Sequence, residues 1–406
     1  MNTSIQKHGA RHRLRVAVVT ETYPPEINGV ARTLGLMVEA MRERGHEVRL
    51  VRPRQRGERA VLPGEAQREL LVRGFPIPFY RHLQMGFAPL GLLHREWTQW
   101  RPDVVHVVTE GPLGWAAVGA ARRLGLPICS DFHTNFHSYS RHYGLGMFAG
   151  VVARYLRALH KRADCTLVPT AEMRSNLEAL AFKRVTVVGR GVDTRLFSPA
   201  RRSERLRATW GCRGVETVAL YVGRLAAEKN LGLFVEAALA MRAVDASLRV
   251  VLVGDGPQSA ELRAKHPDFV FAGMRIGEDL AEHYASADVF PFPSTTETFG
   301  NVTLEAMASG LAVIAYDYAA ARQYLRHDVN GLLAPMGDAA VFVRMAARLA
   351  GDPGLRSRLR PEARRTAEAA SWGRSFDDLE RVLHKLIGAS RAGVEAVRED
   401  SVHVET

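Results

Sequence analysis

Apolar and polar positions along the chain follow two periods that take turns. Short runs rich in β-branched residues predict strands at Arg15-Val-Ala-Val-Val-Thr20, Glu47 to Val51, Val104 to Val108, Pro127 to Asp131, Thr166 to Val168 and Val185 to Val188. Between them, longer stretches carry apolar residues at helical spacing. One runs from the turn at Asn28-Gly29 to about Arg44, where Gly45-His46 reads as a helix stop, and others span Leu113 to Leu124 and Phe148 to Ala163. A second series repeats the alternation at Thr217 to Val222, Arg249 to Val253, Phe269 to Phe271, Val289 to Phe292 and Ala312 to Ala315. Strands that alternate with helices pack as parallel sheets covered on both faces. Two such series predict an α/β protein of two facing, doubly wound, Rossmann-like domains. The boundary falls near Gly191-Val-Asp-Thr-Arg-Leu-Phe-Ser-Pro199, giving domains of residues 1–198 and 199–372. A terminal helix at about 373–390 is expected to pack back on the first domain, and residues 391–406 form a polar tail expected to fray.

Length and composition agree with this picture. A chain of 406 residues with 47% hydrophobic and 24% charged positions is globular and long enough for two cores. Cys129, Cys165 and Cys212 stand far apart in sequence, in no disulfide or metal pattern, and read as buried thiols of a reducing compartment. The basic N-terminus precedes an apolar run, Val16 to Val19, too short for a signal peptide, and no stretch nears the ~20 apolar residues that span a bilayer. A cytoplasmic protein is expected. Charge changes the picture more. The net charge is +12, yet residues 1–198 alone carry +13 and the remainder −1. Of 55 basic residues 49 are Arg, as GC-rich coding would give, but that bias does not explain the one-sidedness. An anionic partner for the first half does, either nucleic acid or an anionic membrane surface.

In open parallel sheets ligands bind beyond the carboxyl ends of strands, so chemistry is sought there. After the strand 289–292 comes Glu297-Thr-Phe-Gly-Asn-Val-Thr-Leu-Glu305, opening a helix expected from Val302 with Asn301 as its N-cap. Exposed amides at that helix start, with Gly300 letting backbone approach, suit an anion. Two carboxylates would repel a phosphate, but they fit hydroxyls: Glu305 those of a ribose, Glu297 those of a transferred sugar. After the strand 217–222 come Arg224, a planar fork, and Lys229, a point charge on a flexible stem, together suited to a diphosphate. Asn28-Gly29-Val30 after the first strand offers close backbone approach, and Asp131-Phe132-His133-Thr134 places a histidine at another strand end. No Asp-x-Asp pair and no His/carboxylate cluster suggests a divalent metal, and neither metal nor cofactor is expected.

Together these residues resemble the family 4 retaining glycosyltransferases of GT-B fold, from Val16 to about Phe376. The matching pieces are Asn28-Gly29-Val30, Val222-Gly223-Arg224-Leu225 with Glu228-Lys229, Val253-Gly254-Asp255-Gly256-Pro257, and the Glu297/Glu305 pair with Ala306-Met307-Ala308-Ser309-Gly310. Gly191-Val-Asp, Phe271-Ala-Gly-Met and Tyr284-Ala-Ser-Ala-Asp-Val-Phe290 are similar to GDP-mannose-dependent α-mannosyltransferases and sulfoquinovosyl diacylglycerol synthases. The resemblance implies an acceptor-side first domain and a second domain that binds a nucleotide-sugar donor. It implies that Arg224 and Lys229 hold the donor diphosphate and that Glu305 binds its ribose. Glu297, Phe299, Gly300, Asn301 and Val302 would meet sugar and phosphate, with Met274 and Arg275 near the base. His133 matches the synthases, its role being catalysis or sugar positioning. A retaining, metal-independent transfer of a hexose to a membrane lipid or glycolipid follows as an expectation, with GDP-mannose favoured over a UDP-sugar. The basic half then reads as a peripheral contact with the inner face of the cytoplasmic membrane, through Arg141, Arg154, Arg157, Lys161 and Arg162 interleaved with apolar residues. An ordinary amphipathic helix packed on its sheet is the plainer reading of that segment. A glycoside hydrolase using Glu297 and Glu305, a nucleotide-sugar epimerase, and a basic nucleic-acid-binding protein are the rival functions. The hydrolase needs no Arg224/Lys229 clamp, and the chain has no nucleic-acid-reading motif.

Overall fold

The computed structural model describes residues 13–26, 28–55, 58, 68–77, 80–133 and 149–402. Two α/β units form. The first sheet holds β1 (Arg15–Val19), β2 (Glu47–Pro53), β3 (Glu69–Ile77), β4 (Tyr80–Phe87), β5 (Val104–Val107), β6 (Ile128–Asp131), β7 (Cys165–Val168) and β8 (Val185–Val187), in the order β4-β3-β2-β1-β5-β6-β7-β8. The second holds β9 (Val218–Val222), β10 (Arg249–Val253), β11 (Val270–Gly273), β12 (Val289–Phe292), β13 (Ala312–Tyr316) and β14 (Leu332–Ala334), in the order β11-β10-β9-β12-β13-β14. The second sheet is parallel throughout. The first is not, because β4 runs antiparallel to β3. The sequence reading missed both strands, since Gly74 and Pro76 interrupt their apolar pattern and Pro cannot donate to a ladder. Each sheet reverses its winding at one pair of neighbours, β1/β5 and β9/β12, and such switch points open a crevice for ligands.

Burial follows the pattern that predicted the strands. β1, β5, β9, β12 and β13 are buried at nearly every position, as strands covered on both faces must be. The sequence distance between Cys129 and Cys165 concealed their adjacency, for they lie directly opposite each other on β6 and β7, both buried and both free. The hydrogen bond with Cys165, then burial, pushes the Cys129 thiol up, while the same bond lowers that of Cys165 to about 7.

The chain crosses between the units twice, side by side. Val192 bridges Ser371, and a Cβ on Gly191 would stand 2.3 Å from the Trp372 amide nitrogen, so only glycine fits the crossing. From there a helix, Trp372–Val402, returns to the first unit. It is longer than expected, because residues 391–402 contain no proline and half of them are the strong helix formers Ala, Arg and Glu. Its Leu379, Leu383 and Ile387 join Leu34, Met37, Val38 and Met41 of the helix Gly29–Glu43 in one apolar cluster. A polar knot, buried at His46 and Glu380, pins the contact. Arg44 Nη1 lies 2.9 Å from both Asp377 and Glu380, and His46 accepts the Leu14 amide at Nδ1 and donates Nε2–H to Glu380 at 3.1 Å. Burial lowers the His46 pKa although Glu380 opposes it, so the imidazole stays neutral near pH 7.

Candidate active site

At the β9/β12 switch point the second domain gathers its charged residues. After β9, Arg224 reaches Glu228 at 3.5 Å and stays 43% exposed. A single 3-10 turn, Ala227–Lys229, follows, and Asn230 in the left-handed region starts the helix Leu231–Val244. That turn delivers Lys229 across the sheet to the loop after β12, where its Nζ lies 2.5 Å from Glu297 Oε1. Ser294 Oγ donates to the same oxygen at 2.7 Å, and the Tyr318 hydroxyl bonds the Glu297 carbonyl. Glu297 is therefore held from three sides.

The helix after this loop begins one residue earlier than expected. It spans Asn301–Ala308, and Gly300 rather than Asn301 occupies the N-cap, at φ +89° where a side chain would be strained. Asn301 is instead the first helical residue, and its Nδ2 approaches Thr33 Oγ1 of the first domain at 3.4 Å. Phe299 is buried and set edge-on to Tyr324, while Val302 packs partly against the domain core. Glu305 is 5% exposed and points at no open space. Tyr284 donates to its Oε2 at 3.0 Å, and Arg32 of the first domain meets its Oε1 at 2.5 Å. Burial, then the Glu305 charge, holds the Tyr284 phenol well above its usual range.

From the first domain, Asn28 caps the helix Gly29–Glu43 by accepting the Ala31 amide at 2.8 Å. Its amide nitrogen donates to Thr22 Oγ1 at 2.8 Å, and the space beside Gly29 is open. Arg32 and Thr33, one turn on, are the residues that touch Glu305 and Asn301. Two helix N-termini with unspent amides thus converge on the seam between the domains, a geometry that favours negative charge. Met274 is half exposed after β11, and Arg275 beside it donates to the Ala272 carbonyl and to Asp279, each at 3.0 Å.

His133 sits at the end of β6 with both ring nitrogens engaged. Arg190 donates to Nδ1 at 3.2 Å, which places the imidazole proton on Nε2, facing Asp131 Oδ2 at 3.2 Å. His106 donates to the other Asp131 oxygen at 2.8 Å. Burial pushes the Asp131 carboxyl up, but the two histidines outweigh it and hold it well below the usual range. The ring that sequence singled out is thus a link in a chain of four side chains.

Of the basic helix, the described part is Ala149–His160. Leu156, Leu159 and His160 are buried, whereas Val151, Val152, Tyr155, Arg154 and Arg157 face outward, as do Lys161 and Arg162 just after it. Arg162 lies over the Trp115 ring at 4.9 Å. The helix both packs on its sheet and presents an apolar and basic face. Arg141 lies outside the described residues.

Sequence reasoning passed over Arg32, Tyr284, Arg190 and Glu21. Arg32 reads as an ordinary polar position of an amphipathic helix, Tyr284 as part of a family phrase, and Arg190 only as the residue before the Gly191-Val-Asp phrase. Glu21, next to β1, accepts the Leu113 amide at 3.1 Å and the Gly86 amide at 3.3 Å, and burial pushes its carboxyl up to about 7. Only its position after a strand could have drawn notice.

A two-domain frame with a charged crevice between helix N-termini is that of a GT-B glycosyltransferase, and sequence comparison agrees. Residues 27–196 match the family described as Glycosyltransferase Family 4, and residues 216–352 match Glycosyl transferases group 1. The chain is 36% identical over 373 residues to a GDP-mannose-dependent alpha-mannosyltransferase of Mycobacterium tuberculosis, covering 90% of this chain and 95% of that one. It is 30% identical to the sulfoquinovosyl transferase SQD2 of Arabidopsis thaliana, over 88% of this chain and 71% of that one. An alpha-monoglucosyldiacylglycerol synthase of Streptococcus pneumoniae matches at 26% over 75% of this chain and 71% of that one. The fold is shared with a sucrose-phosphate synthase of Thermosynechococcus elongatus, at TM-score 0.77, 20% identity and coverage of 93% and 100%. Anabaena HepE, solved with UDP and glucose, superposes at TM-score 0.70 and 18% identity over 92% and 100%. The chain belongs to glycosyltransferase family 4 and is a hexosyltransferase. Membership decides against the hydrolase and the epimerase.

The geometry generates one direct expectation. Lys229→Ala removes the cation beside Glu297 and should lower kcat at least tenfold, about 1.4 kcal/mol of transition-state stabilisation. Steady-state kinetics at saturating donor reads it, and an unchanged kcat would remove Lys229 from the site.

Proposed function

We propose that the protein transfers a hexose, with retention and without a metal, from a nucleotide-diphosphate sugar to a lipid or glycolipid acceptor at the inner face of the cytoplasmic membrane. The observation that carries this reading is the seam itself. Arg224, Lys229 and two helix N-termini supply fixed positive potential where a diphosphate leaving group would develop charge. Donor entry then exchanges partners. The ribose hydroxyls take the place of Arg32 on Glu305, and Lys229 turns from Glu297 to the phosphate while Glu297 accepts from the sugar. The leaving phosphate oxygen takes the acceptor proton, and closure of the domains keeps water from the activated sugar.

GDP-mannose is the favoured donor, because the mannosyltransferase of Mycobacterium tuberculosis is alike over nearly its whole length and its name specifies that donor. A UDP-sugar is the second choice, supported by the UDP and glucose complex of a protein of the same fold. A lipid acceptor is supported by the diacylglycerol named in the Streptococcus pneumoniae relative and by the outward face of Val151, Val152, Tyr155, Arg154 and Arg157. No described helix is long and apolar enough to cross a membrane. The outward face suits a peripheral contact, with basic side chains over anionic headgroups and apolar ones below.

A thermal-shift panel of GDP-, UDP- and ADP-sugars tests the donor. GDP-mannose at a hundred times its Kd should stabilise the protein by about 2.7 kcal/mol, with EDTA present or absent. Stabilisation by UDP-sugars alone, or one that EDTA abolishes, would overturn the assignment. Sedimentation with anionic liposomes tests the surface. Binding is expected at low salt with release at high salt, and no binding at low salt would remove the membrane reading.

A further inference from the structure

The cavity beside His133 contains a guanidinium whose hydrogen-bonding capacity is largely unspent. Arg190 follows β8 at the crossing between domains and lines this cavity together with Thr33, Met37, Leu167, Trp372 and Phe376. A guanidinium has five N–H donors in a planar fork. Among the described residues, this one makes a single side-chain hydrogen bond, from Nη2 to His133 Nδ1. The carboxylate nearest in the chain of contacts, Asp131, already accepts from His106 and His133, one on each oxygen. Arg190 is therefore balanced in charge at one remove, through an imidazole, while it lines the cavity with no further side-chain hydrogen bond among the described residues. Burial lowers its pKa and Asp131 opposes that shift.

The setting is that of a ligand subsite. The cavity volume is about 40 Å³ and its mouth opens to solvent, room for a charged substituent inside with the rest of its ligand at the mouth. Much of the wall is apolar, which strengthens any ionic contact made inside. The cavity also meets the donor side. The Tyr324 hydroxyl, from the second domain, donates to the Arg190 carbonyl at 3.3 Å, and Thr33 on the cavity wall bonds Asn301.

We propose that Arg190 holds an oxyanionic substituent, a carboxylate, sulfonate or phosphate, of a sugar seated at the mouth of this cavity. The planar fork accepts two oxygens of such a group at once, and a poorly solvated cation gains more from an anion than from a hydroxyl. The group can come with the transferred sugar or with the acceptor headgroup, both of which approach this seam. The inference rests on the transferase reading for the presence of a sugar, but not on which nucleotide carries it.

Calorimetric titration of the full-length protein with glucose, glucuronate and glucose 6-phosphate, each with and without saturating GDP, tests it. The two charged sugars should bind at least tenfold tighter than glucose. Arg190→Gln should abolish that difference and Arg190→Lys should keep part of it, with GDP binding unchanged in both as evidence of an intact fold. A charged sugar whose affinity rises with GDP places the oxyanion on the transferred sugar, and one indifferent to GDP places it on the acceptor. Equal affinity of the unmodified protein for glucose and glucuronate would overturn the proposal, whatever the variants do. So would a Gln variant that binds GDP and still prefers the charged sugars. Failure of GDP itself to bind would count against the guanosine donor and leave the sugar comparison standing.

Discussion

Two carboxylates at the edge of the proposed anion site need cations, and the structure shows which ones they have. Lys229 reaches Glu297 within the second domain and Arg32 reaches Glu305 from the first, both at 2.5 Å. The second pair matters more for the molecule as a whole, since it ties the two domains at the seam proposed to receive the donor. Breaking a buried ion pair costs about 3–5 kcal/mol, less here because Arg32 is 40% exposed. In the proposed mechanism the ribose hydroxyls offset that cost by taking over Glu305. Donor binding and domain movement would then be one event.

The fold supplies this arrangement by simple means. Each sheet reverses its winding once, and the loops beside β9 and β12 carry Lys229 and Glu297 toward each other. The returning helix Trp372–Val402 adds its apolar stripe to the first domain's core and fixes Arg44 and His46 through Glu380. The crossing at Gly191 and Trp372 is thus held firmly on the first-domain side. The contacts across the seam are polar and few by comparison. A frame of that kind can open without unfolding either core.

Much of this was legible in the chain. Buried parallel strands read as apolar runs, so both doubly wound domains could be inferred, and the strand-end rule pointed to Arg224, Lys229 and Glu297 before any geometry was known. Three kinds of feature were not legible. The hairpin of β3 and β4 was hidden because Gly74 and Pro76 break its period. Arg32 was hidden because a helix position says which face it occupies but not which domain faces it. His133 was visible, but its partners were not: Arg190 lies after another strand and His106 inside a buried run, so only tertiary structure joins them. The helix cap shows a finer limit, since Asn301 and Gly300 are both good cap residues and the left-handed backbone decided for glycine.

In the proposed mechanism Arg32 occupies Glu305 until the donor's ribose replaces it. Equilibrium binding of GDP to Arg32→Ala and to Glu305→Ala, compared with the unmodified protein, tests this most directly. Opposite signs are expected: Arg32→Ala binds GDP more tightly, because a competitor is gone, and Glu305→Ala binds at least tenfold more weakly. Equal weakening in both variants would contradict it, for Arg32 would then be a ligand of the nucleotide rather than its placeholder.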